Sequence, residues 1–282
     1  MRRILITGKG SYIGTSFIEW VQNYFHEDYE VDEISVRNEN WKSYDFSNYE
    51  IVLHVAGIAH KKETVRNAEL YTVINCDLTI SIAEKAKKQG VKQFIFLSSM
   101  SVYGIEDGII TSASIPNPKS YYGISKYQAE QGLKQLETAE FKVVIVRPPM
   151  VYGANCKGNY TKLAKLAIRV PFFPNVGNER SMIYIDNLSE FISVLIKVNA
   201  SGIFLPQNTE YVSTSEMVKL IAEANGKKVK LTRFFNPFIK ILKYRFKTIN
   251  KIFGNLIYEP IDSFEYSIKD FEKTIYLTER GN

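Results

Sequence analysis

The sequence predicts an α/β fold, a doubly wound parallel sheet with a smaller C-terminal lobe. Three observations predict it. Short β-rich runs alternate with longer helical patterns through the first half of the chain, the strand runs are continuously apolar, and a glycine-rich turn joins the first strand to the first helix. Continuous apolar strands belong to parallel sheets covered on both faces, which strand–helix alternation produces.

The first strand is expected over residues 3–7, followed by a helix over 12–25 and strands over 32–37 and 51–54. A helix over 67–89 carries Leu70, Val73, Ile74, Leu78, Ile82 and Ala86 at helical spacing. A fourth strand over 94–98, a helix over 120–136 and a fifth strand over 141–147 follow, and Pro148-Pro149 ends the series. Beyond it the pattern loosens into short elements at 182–185, 188–198 and 215–224, separated by Gly, Asn and Pro. The expected division is a sheet domain over 1–155 and a lobe over 156–282 that interleaves with the sheet.

The 282 residues, 45% of them hydrophobic, suffice for one large α/β domain or a domain with a smaller lobe. A charged fraction of 23% argues against disorder. No apolar run approaches the roughly 20 residues that a bilayer-crossing helix needs. The opening Met1-Arg2-Arg3 has a basic start, but the apolar stretch after it stops at Gly8 and no small-residue cleavage site follows. It reads as a strand rather than a signal peptide, so a cytoplasmic location is expected. Cys76 and Cys156 lack CxxC spacing, and with only His26, His54 and His60 beside them no metal site is expected.

The net charge of +6 equals the excess in one stretch. Between Arg233 and Tyr258 there are six basic residues (Arg233, Lys240, Lys243, Arg245, Lys247, Lys251) and no acidic one. Over 238–253, apolar Ile239, Leu242, Phe246, Ile249, Ile252 and Phe253 recur at helical spacing, with the lysines in a separate stripe. The expectation is an amphipathic helix packed on the second lobe with a solvated basic face. The alternative is peripheral contact of 238–253 with an anionic membrane surface. No motif suggests nucleic acid as a partner.

Thr7-Gly8-Lys9-Gly10-Ser11-Tyr12-Ile13-Gly14 follows the first strand and opens the first helix. Glycine permits close backbone approach to a pyrophosphate, and the helix N-terminus adds N–H groups and a positive dipole end. Strand before and helix after is the context that such a motif demands. Tyr122-Gly123-Ile124-Ser125-Lys126 contains Tyr-x-x-x-Lys, whose i and i+4 side chains share one helix face. An unperturbed tyrosine titrates near pH 10, and a neighbouring cation that stabilises the phenolate brings it toward working pH. Tyr121 faces elsewhere.

These segments resemble the extended short-chain dehydrogenases/reductases, the NAD-dependent epimerase/dehydratase family, over about the first 220 residues. The loop is similar to the family's TGxxGxxG, with Ser11 where the middle glycine usually lies. His54-Val55-Ala56-Gly57 is similar to its HxAG segment and Asn75 to a helix asparagine that steadies the site. Phe94 to Gly104 resembles the strand that ends in Val-Tyr-Gly, and 146–153 the Arg-Pro stretch beside the nicotinamide. Residues 178–187 resemble a stretch of the sugar-nucleotide members.

The resemblance implies a Rossmann-like dinucleotide domain over 1–155 and a substrate-binding lobe over 156–282. It implies Ser99, Tyr122 and Lys126 as catalytic residues. The cofactor would lie on Thr7, Gly8, Gly10, Ser11, Tyr12, Ile13, Gly14, Arg37, Val55, Ala56, Gly57, Asn75, Tyr122, Lys126 and Pro149. Ser99, Ser101, Asn159, Tyr160 and Arg180 would hold substrate. Arg37 stands where NAD-binding relatives carry an acid, which implies NADP(H) over NAD(H). Segments 91–96, 141–150 and 253–258 are particularly similar to capsular-polysaccharide UDP-sugar 4-ketoreductases. The implied reaction is NADPH-dependent reduction of a UDP-4-keto-6-deoxy-N-acetylhexosamine to the UDP-6-deoxy sugar in surface polysaccharide (capsule or O-antigen) biosynthesis, by a homodimer. A UDP-sugar 4-epimerase using NAD needs the same residues and is the alternative. A non-catalytic NAD(P)-sensing protein is the second. Sugar dehydratases carry an Asp-Glu pair where Met100 and Ser101 stand here, so water elimination is not expected.

Overall fold

The computed structural model describes residues 1–59, 61–260 and 269–281; His60, weighed above as a metal ligand, and the side chains of Lys243 and Lys247 lie outside that set. In chain order the elements are β1 (Arg2–Thr7), α1 (Tyr12–Tyr24), β2 (Tyr29–Ile34), β3 (Ile51–His54), α2 (Ala68–Thr72), α3 (Leu78–Lys88), β4 (Gln93–Leu97), β5 (Gly108–Ile110), α4 (Tyr121–Leu136), β6 (Lys142–Val146) and β7 (Met150–Tyr152). There follow α5 (Asn159–Ala167), β8 (Phe172–Pro174), β9 (Met182–Tyr184), α6 (Ile185–Lys197), β10 (Gly202–Phe204), α7 (Thr214–Ala224), β11 (Lys230–Thr232), α8 (Asn236–Arg245), α9 (Lys247–Phe253), β12 (Leu256–Tyr258) and α10 (Phe271–Arg280).

The chain forms two compact units. The first comprises Met1–Gly104, Pro116–Pro148 and Leu188–Pro206, and the second Ile105–Ile115, Pro149–Asn187 and Gln207–Asn282. The first is built on a six-stranded sheet ordered β10-β6-β4-β3-β1-β2, with every neighbouring pair parallel. Strand order reverses around β1, whose neighbours are β2 and β3. Crevices at such a switch point, beyond the carboxyl ends of the strands, are where open α/β sheets take ligands.

β3 and β4 are buried along their whole length, as apolar strands in a doubly covered sheet must be. Leu5, Val52, Phe94, Phe96, Val143 and Ile145 meet Ile82, Ala83 and Ala86 of α3 and Ala129 and Leu133 of α4 in one core. β10 belongs to the return segment and extends the sheet beyond β6, its Gly202–Phe204 register opposite Val144–Val146.

Among the described residues the second unit has three two-stranded parallel pairs, β7 with β9, β5 with β12 and β8 with β11. Its interior stacks Tyr152 on Tyr160, ring centres 5.7 Å apart, and Tyr152 Oη lies 2.6 Å from Thr274 Oγ1. No helix of the described residues is long and apolar enough to cross a membrane.

Three expectations shift. β2 begins at Tyr29 and ends at Ile34 rather than covering 32–37, because its register follows β1 from Arg2 to Thr7. The helix expected over 67–89 is interrupted by a π-helical turn at Val73–Asp77, and Leu70 and Val73 are exposed. The helix expected over 238–253 is two helices, broken at Phe246, whose backbone is extended. Strands of three residues, such as β5 and β12, are too short to carry a periodic signal.

Candidate active site

At the carboxyl end of β1, Thr7 is buried and its hydroxyl lies 2.7 Å from His54 Nδ1; the other ring nitrogen meets Thr79 Oγ1 at 3.0 Å. Burial holds the His54 pKa down, to about 3, so the imidazole is a neutral strut between β1, β3 and α3. The Val55 and Ala56 amides donate to the Thr7 carbonyl. Gly8 follows at φ +128°, and a side chain there would meet the Ala56 backbone at 2.8 Å. Only glycine fits where the first turn lies against the end of β3.

Ser11 does what the missing middle glycine could not. It caps α1, its Oγ accepting the Gly14 amide at 3.2 Å. A side chain at Gly14 would collide with that oxygen. Tyr12 and Ile13 form the first turn of α1, half-buried, while Gly10 is exposed.

β2 delivers an acid to this loop that sequence reasoning did not single out. Glu33 accepts the Gly10 amide at 3.1 Å, and its carboxylate lies 3.9 Å from Lys9 Nζ. Arg37 stands three residues past the end of β2, exposed, with no side-chain ion pair or hydrogen bond among the described residues. The signal for Glu33 was the strand register, which alternation alone left three residues off.

Asn75 occupies the π-helical turn and is fully buried. Its Oδ1 accepts the Ile58 amide at 2.8 Å, while Nδ2 donates to Ile58 O and to Ser125 Oγ, each at 3.1 Å. π-turns often mark functional sites because they re-aim one side chain without breaking the helix. Here the turn points an amide at the Gly57 loop and at α4 together. A side chain at Gly57 would come within 2.9 Å of Asn75 Oδ1 and 3.3 Å of Lys126 Nζ. That cradle suits a flat ligand laid across bare backbone, and with the Gly8 turn it fits a dinucleotide.

α4 starts at Ser120, whose Oγ accepts the Gly123 amide at 3.0 Å. Glu63, unnoticed in the sequence, accepts the Tyr121 and Tyr122 amides at 3.0 and 3.2 Å. A carboxylate at a helix N-terminus also meets the positive end of its dipole.

Lys126 is buried. Its Nζ donates to the Leu97 carbonyl at 2.7 Å and lies 4.5 Å from the centre of the Phe96 ring. Burial lowers its pKa to about 7, and the Glu130 charge one turn on opposes the fall. Tyr122 is half-exposed; burial of its hydroxyl raises the phenol's pKa, and the nearby Ser99 hydroxyl opposes the rise. The sequence argument gave Lys126 the task of lowering this phenol. In the folded chain Ser99 opposes the effect of burial without overcoming it, and the phenol stays above its ordinary value.

Ser99 caps the short 3₁₀ turn Met100–Tyr103, accepts the Ser101 amide at 3.1 Å and donates to Ser101 Oγ at 3.2 Å. Beneath it Ser98 donates to Glu130 at 2.5 Å, and Glu130 is clasped by Arg147. The first unit thus brings together the glycine loop, the Val55–Gly57 bed, Asn75, Ser99, Ser101, Tyr122 and Lys126.

Pro149, Asn159, Tyr160 and Arg180 belong to the second unit. Pro149 is buried and Asn159 exposed. Tyr160, expected as a sugar contact, is 1% exposed and donates to Glu279 at 2.6 Å. It is an interior residue, because the stack on Tyr152 and that bond consume both ring and hydroxyl. Arg180 is half-buried, bonds the Gly254 carbonyl through Nη1 at 3.1 Å, and has its pKa lowered by burial. No group of three or more metal-ligating side chains occurs among the described residues.

Comparison with known proteins adds to this geometry. The profile of the NAD dependent epimerase/dehydratase family matches residues 4–203. A UDP-glucose 4-epimerase of Vibrio cholerae is 32% identical over 260 residues, covering 80% of this chain and 76% of that protein. An N-acetyl-alpha-D-glucosaminyl-diphospho-ditrans,octacis-undecaprenol 4-epimerase of Escherichia coli O157:H7 is 26% identical, covering 89% and 81%. Among solved structures, the UDP-glucuronic acid 4-epimerase of Bacillus cereus in complex with NAD superposes with a TM-score of 0.75 at 17% identity, over 99% of this chain and 98% of that one. That last likeness concerns the fold.

Proposed function

Since the chain belongs to the NAD dependent epimerase/dehydratase family, we propose that it is an enzyme that moves hydride to and from C4 of a UDP-sugar, and that it works reversibly as a 4-epimerase. The observation that carries this reading is Tyr122 and the buried Lys126 one turn apart on α4, with Ser99 acting on the Tyr122 phenol. The glycine loop, the Gly57 cradle, Asn75 and Lys126 would hold the dinucleotide, which when bound accepts hydride from C4 and returns it. Tyr122 takes the proton from the O4 hydroxyl in its phenolate form, the minor form while burial holds its pKa up, as the C4–H bond breaks and its electron pair leaves with the hydride. The Ser99 hydroxyl donates to the same oxygen and steadies its charge. Return of hydride to the other face of the 4-keto sugar, with the proton given back by Tyr122, yields the epimer. Met100 and Ser101 offer no acid–base pair for elimination.

Glu33 supports NAD as the cofactor. A carboxylate already bonded to the glycine loop repels a 2′-phosphate. The second reading, NADPH-dependent reduction of a UDP-4-keto-6-deoxy-N-acetylhexosamine for surface polysaccharide, rests on Arg37, whose exposed guanidinium could receive that phosphate. Arg180 is proposed as the diphosphate anchor. The exposed Leu70 of α2 and Val73 of the π-helical turn after it, 39% and 47% accessible, support a homodimer.

Incubation with UDP-glucose and UDP-N-acetylglucosamine, followed by chromatography, tests the reaction. Epimers should appear without net change in the absorbance of reduced nicotinamide. Consumption of NADPH by the 4-keto substrate with no epimers would select the reductase. Neither activity, with dinucleotide still bound, would leave a sensing protein.

A further inference from the structure

The basic stretch is not packed as its periodicity suggests. Of α8, Ile239 is buried, yet Phe238 is 61% exposed and Ile241 70%. Phe234 ahead of the helix and Phe246 after it are exposed to 74% and 53%. Four of the five exposed phenylalanines among the described residues fall within 234–246, so the exposure is local rather than scattered. Isolated surface apolar residues need no explanation, but a cluster this dense does.

The charges occupy the same surface. Arg233, Lys240 and Arg245 are exposed and make no ion pair among the described residues. No acidic residue occurs between 233 and 258, so the stretch has no local counter-charge. Among the described residues its ion pair reaches outside the stretch, from Lys251 to Glu106 at 3.4 Å. The far end is fixed: Phe253 packs on Phe173, and the Ile252 carbonyl accepts Thr214 Oγ1 at 2.6 Å. α9 is therefore anchored at its C-terminus, with α8 carrying the uncovered apolar side chains.

We propose that α8 and its flanks are a docking surface for an anionic lipid bilayer. Basic residues alone suit any polyphosphate surface, and apolar residues alone suit any greasy groove. Exposed phenylalanines interleaved with cations on one short amphipathic helix suit the headgroup boundary, where rings enter the acyl edge and cations meet lipid phosphates. The helix is too short to span, so the contact is peripheral and reversible. This inference does not rest on the reaction assigned above. Both 4-epimerase and 4-ketoreductase activity on soluble nucleotide sugars should survive its loss.

Flotation of the full chain with two kinds of vesicle tests it, phosphatidylcholine alone and phosphatidylcholine mixed with an equal part of phosphatidylglycerol. Binding to the mixed vesicles at low salt, little to the neutral ones, and release on adding salt are expected. Each cation near an anionic leaflet strengthens partition roughly fivefold, so Arg233→Glu, Lys240→Glu and Arg245→Glu together should weaken it at least about a hundredfold. Phe238→Ser with Ile241→Ser should abolish flotation while leaving turnover of soluble substrate and the thermal midpoint as in the parent. Absence of flotation at low salt would overturn the proposal. So would binding untouched by both variant sets, or a preference for nucleic acid or a soluble acidic protein over the mixed vesicles.

Discussion

Glu130 and Arg147 form a two-pronged ion pair in the interior, Nε to Oε1 at 3.0 Å and Nη2 to Oε2 at 2.5 Å, with side-chain exposures of 0% and 4%. Arg147 also donates to Tyr103 Oη at 2.8 Å, and Glu130 takes the Ser98 hydroxyl. The pair ties the middle of α4 to the ends of β4 and β6, beneath the catalytic side chains. Burial works against the arginine's charge, but the bonds to Glu130 and Tyr103 outweigh it and hold the guanidinium above its ordinary pKa.

Removing one partner leaves the other buried and charged. Arg147→Met should destabilise the protein by about 3–5 kcal/mol, read as a fall in the urea midpoint. Glu130→Gln keeps the shape and removes the charge that raises Lys126. Its activity profile should therefore move to lower pH, and an unmoved profile would show that Glu130 does not act on Lys126.

Lys126 gives a sign that can be checked in stability. Its folded-state pKa is about 7, below the ordinary lysine value of 10.5, so between those limits the unfolded chain binds more protons. Folding is penalised fully below pH 7 and relieved as pH rises toward 10.5. Relative to Lys126→Met, the parent should gain stability between pH 7 and 9.5 in urea titrations. A falling difference would contradict the assignment.

Glu63 joins the loop after β3 to the first turn of α4 through two amide bonds. Glu63→Ala should cost about 1 kcal/mol as a lost cap and lower kcat more than KM, because Tyr122 carries one of those amides. Equal turnover in the parent and the variant would confine Glu63 to stability.

Cofactor choice turns on two side chains of opposite sign. Glu33→Gln should raise affinity for NADP(H) about tenfold, roughly 1.4 kcal/mol, with little change for NAD(H), as measured by fluorescence titration. If Arg37→Ala lowers NADPH affinity by a similar factor while Glu33→Gln changes nothing, the reductase reading gains.

Much of the site was legible because its signals are local. The glycine turn, Tyr122 with Lys126 one helical turn on, and Ser99 ahead of Val-Tyr-Gly each lie within a few residues of chain. What escaped depends on pieces distant in sequence. Arg147 meets Glu130 only because β6 lies beside β4, and Glu63 meets Tyr122 only through the fold of the loop after β3. Glu33 escaped because the strand edge was misjudged by three residues. In the second unit, three-residue strands and the interior Tyr152–Tyr160 stack leave no periodic trace, so Tyr160 looked like a ligand contact.

The account stands on the Tyr122 phenol as the proton carrier at O4. Tyr122→Phe should retain the fold and the bound dinucleotide while lowering the rate of UDP-sugar interconversion by about 10²–10⁴-fold, followed by chromatography of the epimers. Undiminished turnover in that variant would contradict it.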